Sequence, residues 1–172
     1  MITKIIGALL VFVGGCGCGL SAAAAKRRRI GVLRELEQAL VLLYGEIEYA
    51  AADMMEILDR LSGKTYYFSS FFGGVSRQLC QKCGQPLYRV WQEELEQSPA
   101  KKYLEQEDCE LWEQIGLHLG GLDRQTQLRT LELVQGQIQE RVREAELEYH
   151  SQAKVYRVLG VTGGLFATIL LL

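Results

Sequence analysis

Residues 123–157 read DRQTQLRTLELVQGQIQERVREAELEYHSQAKVYR, and the apolar run VLGVTGGLFATILLL follows directly at 158–172. Apolar residues recur every three or four positions from Leu128 to Tyr156, and most positions between them are charged or polar. This spacing predicts one long helix that packs along a narrow seam. Asp123 is its predicted N-cap. Nothing breaks the pattern before the apolar tail, so the helix is predicted to run on into it.

The charged residues are confined to the middle of the chain. Of its 40 Lys, Arg, Asp and Glu residues, 39 lie between Lys26 and Arg157, and Lys4 is the exception. Because charge is costly in hydrocarbon, this distribution predicts an aqueous domain between two membrane segments. The predicted boundaries are a transmembrane helix at 1–25, a helical domain at 26–157 and a C-terminal membrane segment at 158–172. The first segment has the length of a bilayer span, whereas the second reaches only about 22 Å as a helix.

The basic residues beside the apolar ends predict the topology. Four of them, Lys26, Arg27, Arg28 and Arg29, follow the first apolar segment, and Lys154 and Arg157 precede the second. Positive charge next to a membrane segment tends to stay cytoplasmic, and anionic lipid headgroups attract it. We therefore expect the helical domain to be cytoplasmic and both termini to lie on the other side of the membrane.

Two alternatives would send the domain outward. Residues 21–25, SAAAA, resemble a signal-peptidase site, and residues 13–16, VGGC, resemble a lipoprotein cleavage site that would leave a lipid anchor on Cys16. The basic cluster directly after the segment opposes export. An uncleaved anchor is thus the main prediction, and an exported, lipid-anchored domain is the alternative.

Small residues are spaced for helix packing in both apolar ends. Gly15 and Gly19 have the G-x-x-x-G spacing, as do Gly160 and Gly164, and Gly163 forms a second small pair with Ala167. Such spacing lets helices approach closely in lipid. For the tail, the alternative is a buried core helix.

The middle of the chain is predicted to be entirely helical. It contains only two prolines, and Glu, Gln, Leu and Ala dominate its composition. Amphipathic spacing predicts a first helix from Ile30 to about residue 50, and Asp53 with Glu56 has the spacing of a capping box for a second. This second helix is predicted to span 53–63, and further helices are predicted at 75–83, 86–95 and 104–119. The aromatic residues between Tyr66 and Phe72 are predicted to form core.

The composition argues against several kinds of chemistry. Between Ile30 and Arg157 there are 14 Lys and Arg against 21 Asp and Glu, a net charge of −7, which disfavours nucleic-acid binding. No phosphate-binding loop, nucleophile elbow or zinc-protease motif occurs. We expect neither an enzyme nor a cofactor, metal or small-molecule substrate.

Two cysteines keep one alternative open. Cys80 and Cys83 have metal or redox spacing, but a closed zinc site needs four ligands. Only Cys109 and either His118 or His150 are left to complete such a set. Two ordinary helix cysteines are the simpler interpretation, with a thiol-redox or zinc protein as the alternative.

Three stretches of the chain resemble the stage III sporulation protein AB family. They are LYGEIEY at 43–49, LGGLDRQTQ at 119–127 and KVYRVLGVTGGLF at 154–166, and the last is the most specific. The resemblance covers essentially the whole chain. It marks seven residues as structural motif positions: Glu46, Tyr49, Asp123, Gln127, Lys154, Tyr156 and Arg157.

Two departures from the family pattern stand out. Ala52-Asp53-Met54 replaces the usual Thr-Pro-Leu, and Leu122 replaces a frequent serine. Asp53 and Asp123 supply caps at these places, so the departures threaten function little.

The resemblance implies a membrane component of the channel that links mother cell and forespore in endospore-forming bacteria. It implies similarity to the platform proteins of type II secretion and type IV pilus systems. The expected partners are the stage III sporulation protein AA ATPase, other membrane subunits of the complex and membrane lipids. The expected location is the mother-cell membrane around the forespore, with the domain in the cytoplasm.

Overall fold

The structure is a computed structural model. It describes the backbone of residues 2–49, 53–81, 84–119 and 123–171, and the side chains of residues 24–49, 53–81, 84–119 and 123–151. The prediction of an all-α fold is confirmed, because the described residues form helices and no strands. Among these residues, no helix has a stretch long and apolar enough to cross a membrane.

In the described part of the chain, two helices of 48 residues flank four shorter ones in sequence order. The long helices are α1 (Ile2–Tyr49) and α6 (Arg124–Leu171). The short ones are α2 (Met54–Lys64), α3 (Ser69–Gln81), α4 (Leu87–Gln97) and α5 (Gln106–Leu119). A 3-10 turn at Lys101–Tyr103 separates α4 from α5.

The chain divides into two compact units. One consists of Met1–Arg28 and Glu144–Leu172, and the other of Arg29–Arg143. The first unit therefore joins one end of α1 to one end of α6. The hydropathy boundaries at residues 25 and 157 differ from these divisions because compact units follow contacts rather than polarity.

The prediction of one long C-terminal helix is confirmed. α6 begins directly after Asp123 and continues through the apolar tail to Leu171. Its buried side chains repeat at three- and four-residue steps, as the predicted seam requires. In the described part they are Leu131, Val134, Ile138, Val142 and Ala145.

The sequence predicts α1 only in part. The sequence predicts a membrane helix to residue 25 and a separate helix from Ile30, whereas α1 is continuous from Ile2 to Tyr49. Helix-favouring alanines and basic residues occupy the junction, so no residue there ends a helix. In the Arg29–Arg143 unit α1 buries a row of aliphatic side chains: Val32, Leu33, Leu36, Leu40, Leu43 and Ile47.

The start of α2 corrects the predicted capping box. Asp53 is the N-cap, but its side chain accepts a hydrogen bond from the Met54 N–H, at 2.8 Å, rather than from the third residue of the helix. Glu56 pairs with Arg60 at 2.6 Å instead of bonding back to the cap. The predicted N-cap residue is thus correct, whereas neither hydrogen bond of the predicted reciprocal pair is formed.

Two other helices begin away from the predicted residues. α3 starts at Ser69, six residues before Val75, because the phenylalanines of the aromatic stretch are themselves helical. α5 starts at Gln106, so Leu104 lies outside it.

An aromatic core lies between the short helices α3, α4 and α5. Phe68, Phe71, Phe72, Trp91 and Trp112 are all buried, and the two indole centroids lie 5.1 Å apart. The Trp91 Nε1–H donates to the backbone oxygen of Trp112 at 2.9 Å. The predicted aromatic core is therefore correct for the phenylalanines. It is wrong for Tyr66, whose side chain is 82% exposed.

Candidate functional site

A buried ion pair joins α1 to the first turn of α5. Asp108 is fully buried, and Arg29 is 8% exposed. The Arg29 Nε donates to Asp108 Oδ2 at 3.0 Å and Nη2 donates to Oδ1 at 3.2 Å, which is a bidentate arrangement. Asp108 also accepts the backbone N–H of Glu105 at 3.0 Å and so caps the start of α5.

Three further charged residues surround this pair. Arg29 Nη1 lies 2.7 Å from Glu105 Oε1. Arg141 of α6 places its Nε 3.9 Å from Asp108 Oδ1 and bonds Glu107 through Nη2. We call these residues the charge cluster: Arg29, Glu105, Glu107, Asp108 and Arg141. Each carboxylate has a cationic partner, so the cluster is suited to holding three helices together.

The sequence contained one unused signal for the cluster. Asp108 lies on the same helical stripe as Trp112, Ile115 and Leu119, all of which are buried. A carboxylate at a core position of a helix needs a cation. Sequence reasoning missed the pair because Asp108 stands among other acidic residues and Arg29 belongs to the basic run.

The four basic residues after the first apolar segment have different environments. Lys26 bonds Glu148 at 2.8 Å within the first unit, and Arg27 and Arg28 are exposed. Arg29 is buried in the charge cluster and is not placed to meet lipid headgroups. The topology inferred from the four residues stays a prediction.

The motif residues of α1 lie near its C-terminal end. Glu46 accepts a hydrogen bond from Arg60 Nη1 at 2.9 Å and so ties α1 to α2. Tyr49 is 83% exposed, and its hydrogen bond with Glu48 raises the pKa of its phenol. One turn earlier, Tyr44 donates to Glu132 of α6 at 3.1 Å, and this bond raises the pKa of Tyr44.

The second motif closes the connection between α5 and α6. The Asp123 carboxylate accepts the Thr126 N–H at 3.1 Å and the Thr126 hydroxyl at 2.7 Å, so its predicted N-cap role is confirmed. These bonds lower the pKa of Asp123. Gln127 donates to the Leu119 carbonyl at 2.8 Å, and Arg124 donates to the Ile47 carbonyl at 2.9 Å. The motif thus caps three helix ends.

Several predicted residues lie outside the described side chains. They are the packing glycines Gly15, Gly19, Gly160, Gly163 and Gly164, the motif residues Lys154, Tyr156 and Arg157, and the cysteines Cys16 and Cys83. Their predicted roles stay predictions.

The described cysteines do not form a metal centre. Cys80 is exposed, and Cys109 is half-buried, which raises the pKa of its thiol. Across the described residues, no three His, Cys, Asp or Glu side chains gather to hold a metal ion.

The described part of the chain is an all-α protein, in which a buried charge cluster joins α1, α5 and α6 and an aromatic core lies between α3, α4 and α5. The model of the family described as stage III sporulation protein AB matches residues 4–172, and the chain belongs to this family. A solved structure titled "Stage III sporulation protein AB (SpoIIIAB)" is similar, with a TM-score of 0.64 and 23% identity. The match covers 72% of this chain and 97% of that one, and it supports the fold. No curated protein matches the sequence.

Proposed function

We propose that this sporulation protein is a non-enzymatic platform subunit of the channel between mother cell and forespore. In this proposal the two apolar ends anchor it in the mother-cell membrane. The Arg29–Arg143 unit stands in the cytoplasm and docks the stage III sporulation protein AA ATPase and other channel subunits. The observation that carries the proposal is a family match that includes both apolar ends as well as the domain.

The membrane part of the proposal is supported by where the charges lie. Residues 5–25 and 158–172 contain no charged side chain, and basic residues stand at the inner border of both. The two ends also belong to one compact unit, where Lys26 and Glu148 pair just inside the apolar segments. Both ends are helical, and a helix satisfies its own backbone hydrogen bonds, as a segment in hydrocarbon requires.

The docking part of the proposal is supported by the surface of the domain. Residues 29–143 contain 13 Lys and Arg against 18 Asp and Glu, a net charge of −5, which would complement a basic face of a partner. Leu117 of α5 and Leu133 of α6 are 61% and 66% exposed, and each offers an apolar contact on a different helix.

Topology can be tested with reporter fusions in sporulating cells. After Ala100, we expect a fused reporter to be active only if it is an enzyme that works in the cytoplasm. At either terminus, we expect activity only from reporters that work outside the cytoplasm. The mass of the membrane-extracted protein should equal that of the full chain. Activity of the Ala100 fusion in the exported compartment, or a mass corresponding to cleavage before Cys16, would establish the lipid-anchored alternative instead.

Docking can be tested with a photo-crosslinking amino acid at single exposed positions. We expect a cross-link to the ATPase from Leu117 or Leu133, both on the domain surface. The same probe at buried Leu40 is the matched control and should give none. If neither position nor exposed Val41 gives a cross-link to the ATPase in cells that sporulate normally, this domain surface does not dock it.

A further inference from the structure

The buried faces of the two long helices are almost uniformly aliphatic. α1 buries Leu33, Leu36, Leu40 and Leu43, and α6 buries Leu131, Val134 and Ile138. Aliphatic side chains of similar size replace one another in a core at small cost. A helix that slides by one or two turns therefore presents nearly the same stripe. Apolar packing alone defines the register of α1 and α6 weakly.

The charge cluster does not tolerate such a slide. Moving α1 by one turn would replace Arg29 with Ala25 on one side or Leu33 on the other. Asp108, which is fully buried, would then lose both bonds from the guanidinium. Its nearest remaining cation would be Arg141, whose Nε lies 3.9 Å from Oδ1, and a buried carboxylate that loses its hydrogen-bonded partner is strongly unfavourable. Moving α6 by one turn would replace Arg141 with Gln137 or Ala145, which would remove the second cation near Asp108 and the partner of Glu107.

We propose that the charge cluster is a register lock: together with the Tyr44–Glu132 and Arg124–Ile47 hydrogen bonds between α1 and α6, it fixes the alignment of α1, α5 and α6, and it adds little net stability to the domain. This role goes beyond the proposed function and does not depend on it. Its physical basis is that a buried ion pair roughly balances its desolvation cost, whereas an apolar pair of similar volume packs as well without demanding one geometry. Bidentate bonding by Arg29 makes that geometry specific.

The decisive variant replaces both partners with apolar residues. In Arg29→Met/Asp108→Leu we expect a melting temperature within about 3 °C of the parent's, because the core stays filled. In Asp108→Asn or Arg29→Met alone we expect a fall of at least about 8 °C, because a polar group is left without its partner.

Register is measured by the distance between two spin labels. The labels replace Gln38 on α1 and Gln137 on α6, which are exposed, in the full chain in micelles with all native cysteines changed to alanine. The parent should give one narrow distance. The double apolar variant should add a second population displaced by about 5 or 10 Å, one or two helical turns. Arg29→Lys keeps the charge and loses the bidentate bond, so it should broaden the distribution while staying folded.

The matched control removes an exposed ion pair of α6. Arg143→Met/Glu140→Leu eliminates a pair whose side chains are 68% and 50% exposed, and it should leave the distance unchanged. The proposal is overturned if the double apolar variant keeps the parent's single narrow distance. It is equally overturned if that variant loses as much thermal stability as Asp108→Asn, because the cluster would then serve stability.

Discussion

Gly116 of α5 is a described residue whose replacement the packing opposes, because its neighbour is a ring rather than a flexible side chain. A Cβ at this position would lie 2.3 Å from Cγ and 2.5 Å from Cδ1 of Trp91, a buried and rigid ring. We expect Gly116→Ala to destabilise the domain by about 1–3 kcal/mol through overpacking, although alanine favours helices. Chemical denaturation monitored by circular dichroism measures this.

Gly136 is the matched control for that substitution. It is also within a helix, and a Cβ there meets no atom within 4 Å. Gly136→Ala should raise stability by about 0.5–1 kcal/mol. Equal effects of the two substitutions would contradict the close approach of Trp91 to α5.

The contribution of Asp123 to the stability of the folded state should depend on pH, because its carboxylate caps the N-terminus of α6. Hydrogen bonds from Thr126 lower its pKa below the ordinary value of 3.8. A depressed pKa means that the charged form stabilises the folded state above pH 3.8, and that this contribution is lost as the pH falls through the lower, folded value. Asn also caps helices but does not titrate.

The pH dependence of Asp123 can be measured against Asp123→Asn. The melting-temperature difference between parent and variant should be constant from pH 5 to 7 and should change only below about pH 4. Asp123→Ala should melt a few degrees lower at neutral pH because the cap is lost. A difference between parent and Asp123→Asn that varies between pH 5 and 7 would show that another group is responsible.

For single residues, the sequence predicts helix caps better than it predicts the partners of buried ion pairs. Asp53 and Asp123 were identified because capping depends on neighbouring residues in the chain. The pairing of Arg29 with Asp108 was missed because it joins residues 79 positions apart. The helical stripe of Trp112, Ile115 and Leu119 separates Asp108 from the exposed Glu107 beside it, but only the tertiary fold identifies Arg29 as its partner.

Among the elements, α6 links the domain to the apolar tail without a break. We predict that inserting four glycines after Gln152 abolishes sporulation while the domain stays folded, because glycines interrupt the helix and would absorb any movement passed along it. Sporulation frequency measures the effect, and the melting temperature of the domain should stay unchanged. Four alanines at the same site are the control, since they keep the helix. Normal sporulation of the glycine variant would show that the tail is only a tether.

The elements also show where sequence patterns lose information. The apolar period predicted α6 correctly because it repeats over many turns. The start of α3 was placed too late because its first turn, Ser69 to Phe72, carries aromatic residues rather than a clear amphipathic period. The sequence does not predict the continuity of α1, because the polarity of the chain changes at residue 26 whereas the helix continues through it.

At the scale of the whole molecule, the G-x-x-x-G pairs make a prediction about assembly. Under the proposed function, Gly160→Leu with Gly164→Leu should prevent close approach of helices in lipid and reduce recovery of the proposed membrane complex. The domain should keep its melting temperature, since the changes lie outside it. Co-purification of the proposed channel subunits measures the outcome, with Leu159→Ala and Leu165→Ala as the control. Full recovery of the complex with both leucines present would contradict packing through these glycines.

The all-α class followed from composition and period, because both are averages over many residues. The detailed packing of the short helices did not, because it depends on the shapes of particular side chains. The contact of Trp91 with the backbone at Gly116 is one such detail, and the local sequence around either residue does not predict it.

The bond between Arg29 and Asp108 also has a consequence for how the family can diverge. Losing either partner alone leaves a buried charge and costs about 3–5 kcal/mol. That is a large share of the free energy of unfolding of a domain of this size. A lineage can therefore abandon the pair only by changing both residues nearly together, or after other substitutions have raised stability. Across related sequences the two positions should be inherited as a unit, with an apolar residue at one accompanied by an apolar residue at the other.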